Sequence, residues 1–183
     1  MKKPVRPTVW LRLIAGAVLP AFREAAAARR AMAGDAKPGL RALLLPTARD
    51  LESEAVARAH TALGYGTALR GAVILGAHDP ASRGVLAHTA DGTARFIIPE
   101  LGFDRWLRLE RGALRGGRGE PPAPADVTLS FPRWRTALAA LRGELDEMAA
   151  LGTGDLVISG SLPLADHLNL VLQRMADYFP PSK

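Results

Sequence analysis

Four histidines, His60, His78, His88 and His167, are the side chains in this 183-residue chain best suited to proton transfer or zinc binding near neutral pH. None stands at a zinc-ligand spacing from another, and no carboxylate cluster completes a set. His167 follows Asp166, but neighbours on a helix point about 100° apart and do not face each other. Ser161 lies beside Gly160 without the Gly-x-Ser-x-Gly pattern of a nucleophile elbow, and reads as a turn or cap. Gly152-Thr153-Gly154 precedes an apolar strand, whereas a dinucleotide-binding loop must follow one. Arg115-Gly116-Gly117-Arg118-Gly119 could suggest RNA contact, but a hairpin end accounts for it. With no cysteine there is no thiolate nucleophile, disulfide or sulfur metal site. The residues offer no catalytic constellation, and none of them calls for a metal or cofactor.

The positive signals are apolar. Leu164, Leu168, Val171, Leu172, Met175 and Phe179 fall on one face of a C-terminal helix, with His167, Gln173, Arg174 and Asp177 largely elsewhere. Trp134, Leu138, Leu141, Met148 and Leu151 give two preceding helices apolar faces, and Phe96 and Ile98 do the same for a strand. Such stripes are ordinary core. They are also what a lipid cavity needs, and Met148 and Met175 suit a deformable wall.

The elements that position these residues are marked by period and punctuation. Asp126 to Phe131 alternates as a strand, Trp134 to Leu141 has helical spacing, and Gly143 stops it. Leu145 to Leu151 is a second helical piece ending at Gly152 and Gly154, and Leu156-Val157-Ile158 reads as a buried strand. Gly160 to Pro163 turns the chain into the last helix. Upstream, Thr47 and Asp50 start a helix that Gly64 and Gly66 are expected to end; 67–78 is ambiguous and read as helix. Asp79-Pro80 caps the next one. Strands are expected at Thr93–Pro99, Arg105–Glu110 and Ala113–Arg118, with Glu100 to Asp104 between the first two and a Pro-rich connector from Glu120 to Pro124.

This order resembles the C-terminal half of the sterol carrier protein type-two domain family. The matching pieces are Asp126–Ser130, Leu141-Arg142-Gly143-Glu144-Leu145, Met148-Ala149-Ala150, Gly154-Asp155-Leu156-Val157-Ile158-Ser159-Gly160 and Leu164-Ala165-Asp166-His167-Leu168. The layout, helices leading into such a domain with a short insertion between two strands, is most similar to the accessory factors of oxygen-independent ubiquinone biosynthesis. The resemblance implies an α+β fold: about five strands, mostly antiparallel or mixed, covered by helices, with an added N-terminal helical segment. It implies a non-catalytic carrier holding an isoprenoid quinone precursor, sterol-like or acyl lipid in a hydrophobic tunnel. The candidate wall is Phe96, Ile98, Trp134, Leu138, Leu141, Met148, Leu151, Leu168, Leu172, Met175 and Phe179. The other reading, from a different class, is an assembly module that docks a partner biosynthetic enzyme through its N-terminal helix.

Charge divides the chain. Residues 1–41 carry nine Lys or Arg against Glu24 and Asp35, giving +7, so the remainder is −1. A nucleic-acid-binding body would need its basic residues on the domain itself, and nucleic acid is not an expected partner. The expected division is therefore a basic, apolar extension and linker at 1–46 and a lipid-binding domain at 47–183. Lys2, Lys3, Arg6, Trp10, Leu13 and Ile14 suit contact with an anionic membrane surface, which implies a bacterial cytoplasmic protein peripheral to the inner face of the membrane. Arg12 interrupts the apolar run, which argues against a span or a secretory leader. A helix packed on the domain's own core accounts for the segment equally well.

Overall fold

The computed structural model describes residues 6–32 and 37–178; the expectations placed on Lys2, Lys3 and Phe179 fall outside them. Helix α1 (Pro7–Leu13) runs through a π-helical turn (Ile14–Val18) into α2 (Leu19–Ala31), followed by α3 (Leu40–Leu44), α4 (Ala48–Leu51), α5 (Glu54–His78) and α6 (Pro80–Ala87). Strands β1 (Gly92–Ile98), β2 (Phe103–Glu110), β3 (Ala113–Arg118) and β4 (Val127–Ser130) come next. Helices α7 (Trp134–Leu141) and α8 (Glu147–Thr153), strand β5 (Val157–Gly160), and helices α9 (Leu162–Gln173) and α10 (Met175–Tyr178) complete the described order. The sheet order is β3-β2-β1-β4-β5. Strand β1 is antiparallel to β2 and parallel to β4, so the sheet is mixed, as expected.

Alternation sets the two faces of the sheet. Ala94, Phe96 and Ile98 of β1 are buried, as are Phe103, Leu107 and Leu109 of β2 and Leu114 of β3. The register Ala94↔Val127 and Phe96↔Leu129 carries this apolar face on to β4, and Leu129↔Ile158 carries it to β5. Helices α5 and α9 cover it, and their buried side chains join one cluster that includes Leu75, Leu86, Leu168 and Val171.

Helix α5 is continuous through Gly64 and Gly66, which had been expected to stop it. Glycine costs about 1 kcal/mol in a helix interior, but tertiary packing here favours its lack of a side chain. A Cβ at Gly64 would lie 2.4 Å from Leu141, one at Gly71 2.3 Å from the Met175 sulfur, and one at Gly76 2.8 Å from Leu86. The glycines are notches that let α7, α10 and α6 approach. The Thr47–Asp50 capping box does form, but it starts only the single turn α4; Ser53 begins the long helix.

The N-terminal helix packs on α5. Val9, Leu13, Ala17, Ala21 and Ala25 are all buried, at strict spacings of four. On an α-helix such a stripe drifts by about 40° per step. The wider π turn between Leu13 and Leu19 winds part of that drift back and keeps the face on its partner. Gly16 within this turn sits against Ile74 of α5.

Two further corrections concern the C-terminal part. Strand β5 is an edge strand with only β4 beside it, so Leu156 is buried but Val157 is 43% exposed. The last helix breaks at Arg174, and that side chain is not on a solvent face. It is 10% exposed, and its Nε donates to Asp79 at 3.4 Å.

Candidate functional site

The apolar face of the sheet is sealed over β1 and β2 but not at its other end. Phe96, Ile98, Phe103 and Leu107 are buried, whereas Leu129, Phe131 and Ile158 are only half-buried. Helix α9 packs on β4, while α7 packs on α5 and α8 lies in the connection between α7 and β5. Helix α7 contributes Leu138 and Leu141, both half-buried, and Leu141 is held in the Gly64 notch. Helix α8 is largely exposed: only Ala150 of its seven residues is buried, while Met148 is 79% exposed and Leu151 39%. Asp146 caps it, accepting from the Ala149 N–H at 3.0 Å. Gly154, at φ 74°, ends it in the left-handed conformation that favours glycine. The segment is anchored at its end by the Leu156 N–H donating to the Ala150 carbonyl at 3.0 Å.

An aromatic wall closes the floor of this region. Tyr65 of α5 meets Phe103 with ring centroids 6.0 Å apart and Phe131 at 5.7 Å. Its hydroxyl donates to the Ala137 carbonyl of α7 at 3.1 Å, tying helix to helix across the wall. Burial, with a smaller push from Glu147, raises the phenol pKa well above its ordinary value, so the ring stays neutral. Trp134, at the start of α7, is roofed by the guanidinium groups of Arg58 and Arg135, 5.8 and 4.8 Å from the ring centre. No side chain caps α7 at Arg133; instead Glu100 accepts from the Trp134 N–H at 2.8 Å. The short turn between β1 and β2 is therefore what fixes this end of the site.

The expected wall residues thus fall into three groups. Leu138 is half-buried against the core and Leu141 in the Gly64 notch, whereas Met148 and Leu151 are exposed on α8. Phe96, Ile98, Trp134 and Leu168 are buried among other side chains, and Leu172 and Met175 are half-buried against the core, Met175 in the Gly71 notch. These last six side chains belong to the main apolar core or pack against it. The residues missed from sequence are Tyr65, Phe103, Phe131, Leu129 and Ile158; alternation of β4 into Phe131 was the available signal. Of the expected membrane contacts, Arg6 and Trp10 are exposed and Ile14 is half-buried. Leu13 is fully buried against the core, because it lies on the α5-facing stripe.

Polar chemistry does not converge here. His60 Nδ1 lies 2.9 Å from the Leu43 carbonyl, and burial, against an opposing push from that contact, lowers its pKa. His88 Nδ1 is similarly 2.9 Å from the Gly84 carbonyl, and His78 pairs with Arg12 at 3.3 Å. Among the described residues no three His, Asp or Glu side chains are grouped to hold a metal ion, and no helix is long and apolar enough to cross a membrane. A depression of about 400 Å³, lined by Pro80, Arg83, Gly84, Ala87, Arg111 and Gly112, lies on α6 and the β2–β3 turn, away from the apolar site.

Comparison with solved structures gives a consistent set of likenesses. A ubiquinone synthesis protein, UbiJ-SCP2, is 17% identical over 57% of this chain and 83% of its own, with a TM-score of 0.42. The sterol carrier protein domain 2 of Helicoverpa armigera is 17% identical over 63% and 88%, at 0.47. A stereoselective inverting sec-alkylsulfatase from a Pseudomonas species is 16% identical over 90% of this chain but only 30% of its own, at 0.42. No curated protein matches the chain. The profile of the SCP-2 sterol transfer family matches residues 74–173, from the second half of α5 to the end of α9, which is more than half of the chain. With that match and a five-stranded mixed sheet under helices, the chain belongs to the SCP-2 sterol transfer family and has the fold of a lipid carrier.

Proposed function

We propose that the protein is a non-catalytic carrier of an apolar lipid, which it binds against the β4–β5 end of the sheet, beside α8. One observation carries this reading. The apolar face is left half-covered at Leu129, Phe131 and Ile158, and α8, the helix that leads into β5, turns its own apolar side chains, Met148 and Leu151, to solvent. A lipid tail bound there replaces water on Leu129, Phe131 and Ile158 at roughly 25 cal/mol per Å² buried, with no polar contact required. Affinity should then follow tail length, rising about fourfold per buried CH₂ at roughly 0.8 kcal/mol each, until the site is full. Titration of a fluorescent acyl series measures this, and a flat response to chain length defeats the reading.

The ligand we favour is an isoprenoid quinone or its precursor, which would make the protein an accessory factor in ubiquinone biosynthesis. The support is layout: N-terminal helices before the domain and the Pro99–Leu101 turn in the insertion between β1 and β2. Mass spectrometry of lipid retained through native purification tests it, and recovery of only bulk phospholipid would exclude it. We also propose that residues 1–46 place the protein on the inner face of the membrane. Trp10, Leu11, Leu19 and Phe22 are exposed off the buried Val9–Leu13–Ala17–Ala21 stripe, along with the exposed Arg6 and Arg23. Sedimentation with anionic vesicles should fall for a W10S/F22S variant; unchanged sedimentation would instead favour docking of a partner enzyme.

A further inference from the structure

At the opposite side of the sheet from β5, three arginines meet one carboxylate. Arg105 of β2 and Arg118 of β3 are direct cross-strand partners on the helix-covered face, the face that also carries Leu107 and Leu114. Arg70 of α5 reaches them from above, and Glu24 of α2 lies between. Glu24 accepts from Arg70 Nη1 at 2.9 Å and Nη2 at 3.2 Å, and also pairs with Arg118. Among the described residues Arg105 pairs with no carboxylate: its Nη1 donates to the Asp104 backbone carbonyl at 2.8 Å, and its guanidinium lies 4.8 Å from the Phe103 ring centre. The Asp104 carboxylate is itself held by Arg95 at 3.0 and 2.7 Å.

The cluster therefore carries three cations and one anion in a partly buried place. Arg70 and Glu24 are 25% and 26% exposed and Arg118 63%, and Arg70 Nε is buried without a hydrogen-bond partner among the described residues. Burial, then the neighbouring Arg118 and Arg70, push the Arg105 pKa down. A network built only for stability would match its charges, because buried like charges repel and desolvated guanidinium groups need acceptors. Gly66, one turn before Arg70, is buried against the ion pair: Arg70 and Glu24 side-chain atoms lie 3.7 and 3.8 Å from where a Cβ would stand.

We propose that Arg70, Arg105 and Arg118 form a binding site for a phosphate group, either free or as the head group of a lipid. A phosphate offers several acceptor oxygens and up to two negative charges, which complement the excess of two cations, and planar guanidinium groups bind it in bidentate fashion. Glu24 then acts as the resident counter-ion that the phosphate adds to or displaces. The site stands apart from the proposed lipid-tail region and does not depend on it.

The test is the thermal midpoint of the full chain in sodium phosphate against sodium chloride at matched ionic strength. A site of millimolar affinity predicts a rise of roughly 3–6 °C in 10 mM phosphate. Arg105→Gln should abolish that rise while leaving the midpoint in chloride unchanged or higher, since it removes repulsion. Glu24→Gln should lower the midpoint in chloride and enlarge the phosphate-dependent rise. Titration with a soluble short-chain phosphatidic acid, against phosphatidylcholine of equal chain length, separates the sources: stronger binding of phosphatidic acid than of inorganic phosphate identifies a head group, and equal binding identifies the free anion. Equal midpoints in phosphate and chloride, or the same rise in Arg105→Gln, would overturn the proposal whatever the outcome of the lipid-tail experiments.

Discussion

Asp79 should be among the costliest polar side chains to remove. It is 1% exposed at the junction of α5 and α6, and its oxygens accept four bonds: the Ser82 N–H at 2.9 Å, the Ser82 hydroxyl at 3.0 Å, the Tyr178 hydroxyl at 2.9 Å and Arg174 Nε at 3.4 Å. Asp79→Ala removes the cap of α6, worth about 1 kcal/mol. It also strands a guanidinium that is 10% exposed, and breaking one side of a buried pair costs about 3–5 kcal/mol. Arg174 keeps Asp177 as a second partner, so the total should sit near the lower end, about 3 kcal/mol. Asp79→Asn keeps one oxygen, which can serve the α6 cap, but sets an NH2 group in place of the oxygen that accepts from Tyr178, and should lose about 2 kcal/mol. Urea unfolding with Arg174→Met as the second arm of a cycle measures the coupling. A loss below about 1 kcal/mol, or the same Asp79→Ala loss in both backgrounds, would refute the argument. The pH dependence has a fixed sign. Burial pushes the Asp79 carboxyl pKa up, but the donors from Ser82, Tyr178 and Arg174 more than reverse this and leave it below its ordinary value. Its contribution is then full above the unfolded pKa of about 4 and disappears as pH falls through the lower folded value. The stability gap between the wild type and Asp79→Asn should therefore close on acidification below about pH 4.

Other perturbations separate the elements. A Met148→Asp/Leu151→Asp pair, both on exposed positions, should change stability by less than about 0.5 kcal/mol per site yet weaken binding of a fluorescent acyl probe several-fold; normal binding would remove α8 from the site. Gly160→Ala should cost more than about 2 kcal/mol in urea unfolding, since φ is 105° and the new methyl would stand 2.1 Å from the Asp126 carbonyl oxygen. Leu13→Ala should cost about 2–4 kcal/mol and Trp10→Ser under about 0.5 kcal/mol, because adjacent turns of one helix place the first at 0% exposure and the second at 42%. Tyr65→Phe should lose about 1 kcal/mol through the bond to Ala137.

Local patterns carried much of the fold. Alternation located β1 to β4 within two residues at their ends, Gly143 and Gly154 both adopt the left-handed conformation beyond their helices, and Asp79 with Pro80 opens α6 as the residues suggest. What local patterns could not show was the identity of long-range neighbours. Gly64 looks like a helix stop until Leu141 is known to occupy its notch. Arg174 looks like a solvated cation until Asp79 appears beside it. Leu156-Val157-Ile158 reads as a buried run, but only the strand order reveals that β5 has a single neighbour. Of the candidate site, the half-buried Leu138 and Leu141 and the exposed Met148 and Leu151 follow from helical spacing alone. The aromatic wall of Tyr65, Phe103 and Phe131 comes from three separate elements and has no signature in any of them.

The strand order also decides how the molecule assembles and yields. Strands β1, β2 and β3 are successive and joined by tight turns, so their ladders close small loops. Strand β4 must return past both to pair in parallel with β1, and β5 can add only after it. Closing such loops is entropically costlier and comes late. The four-residue strands β4 and β5 are the shortest of the sheet, and β5 lies at the edge with one neighbour, whereas Val127 of β4 is fully buried. We expect the β5 end of the sheet to open before the β1–β2–β3 meander and α5. Amide hydrogens of β5 should exchange faster than those of β2, by the sub-global rather than the global opening.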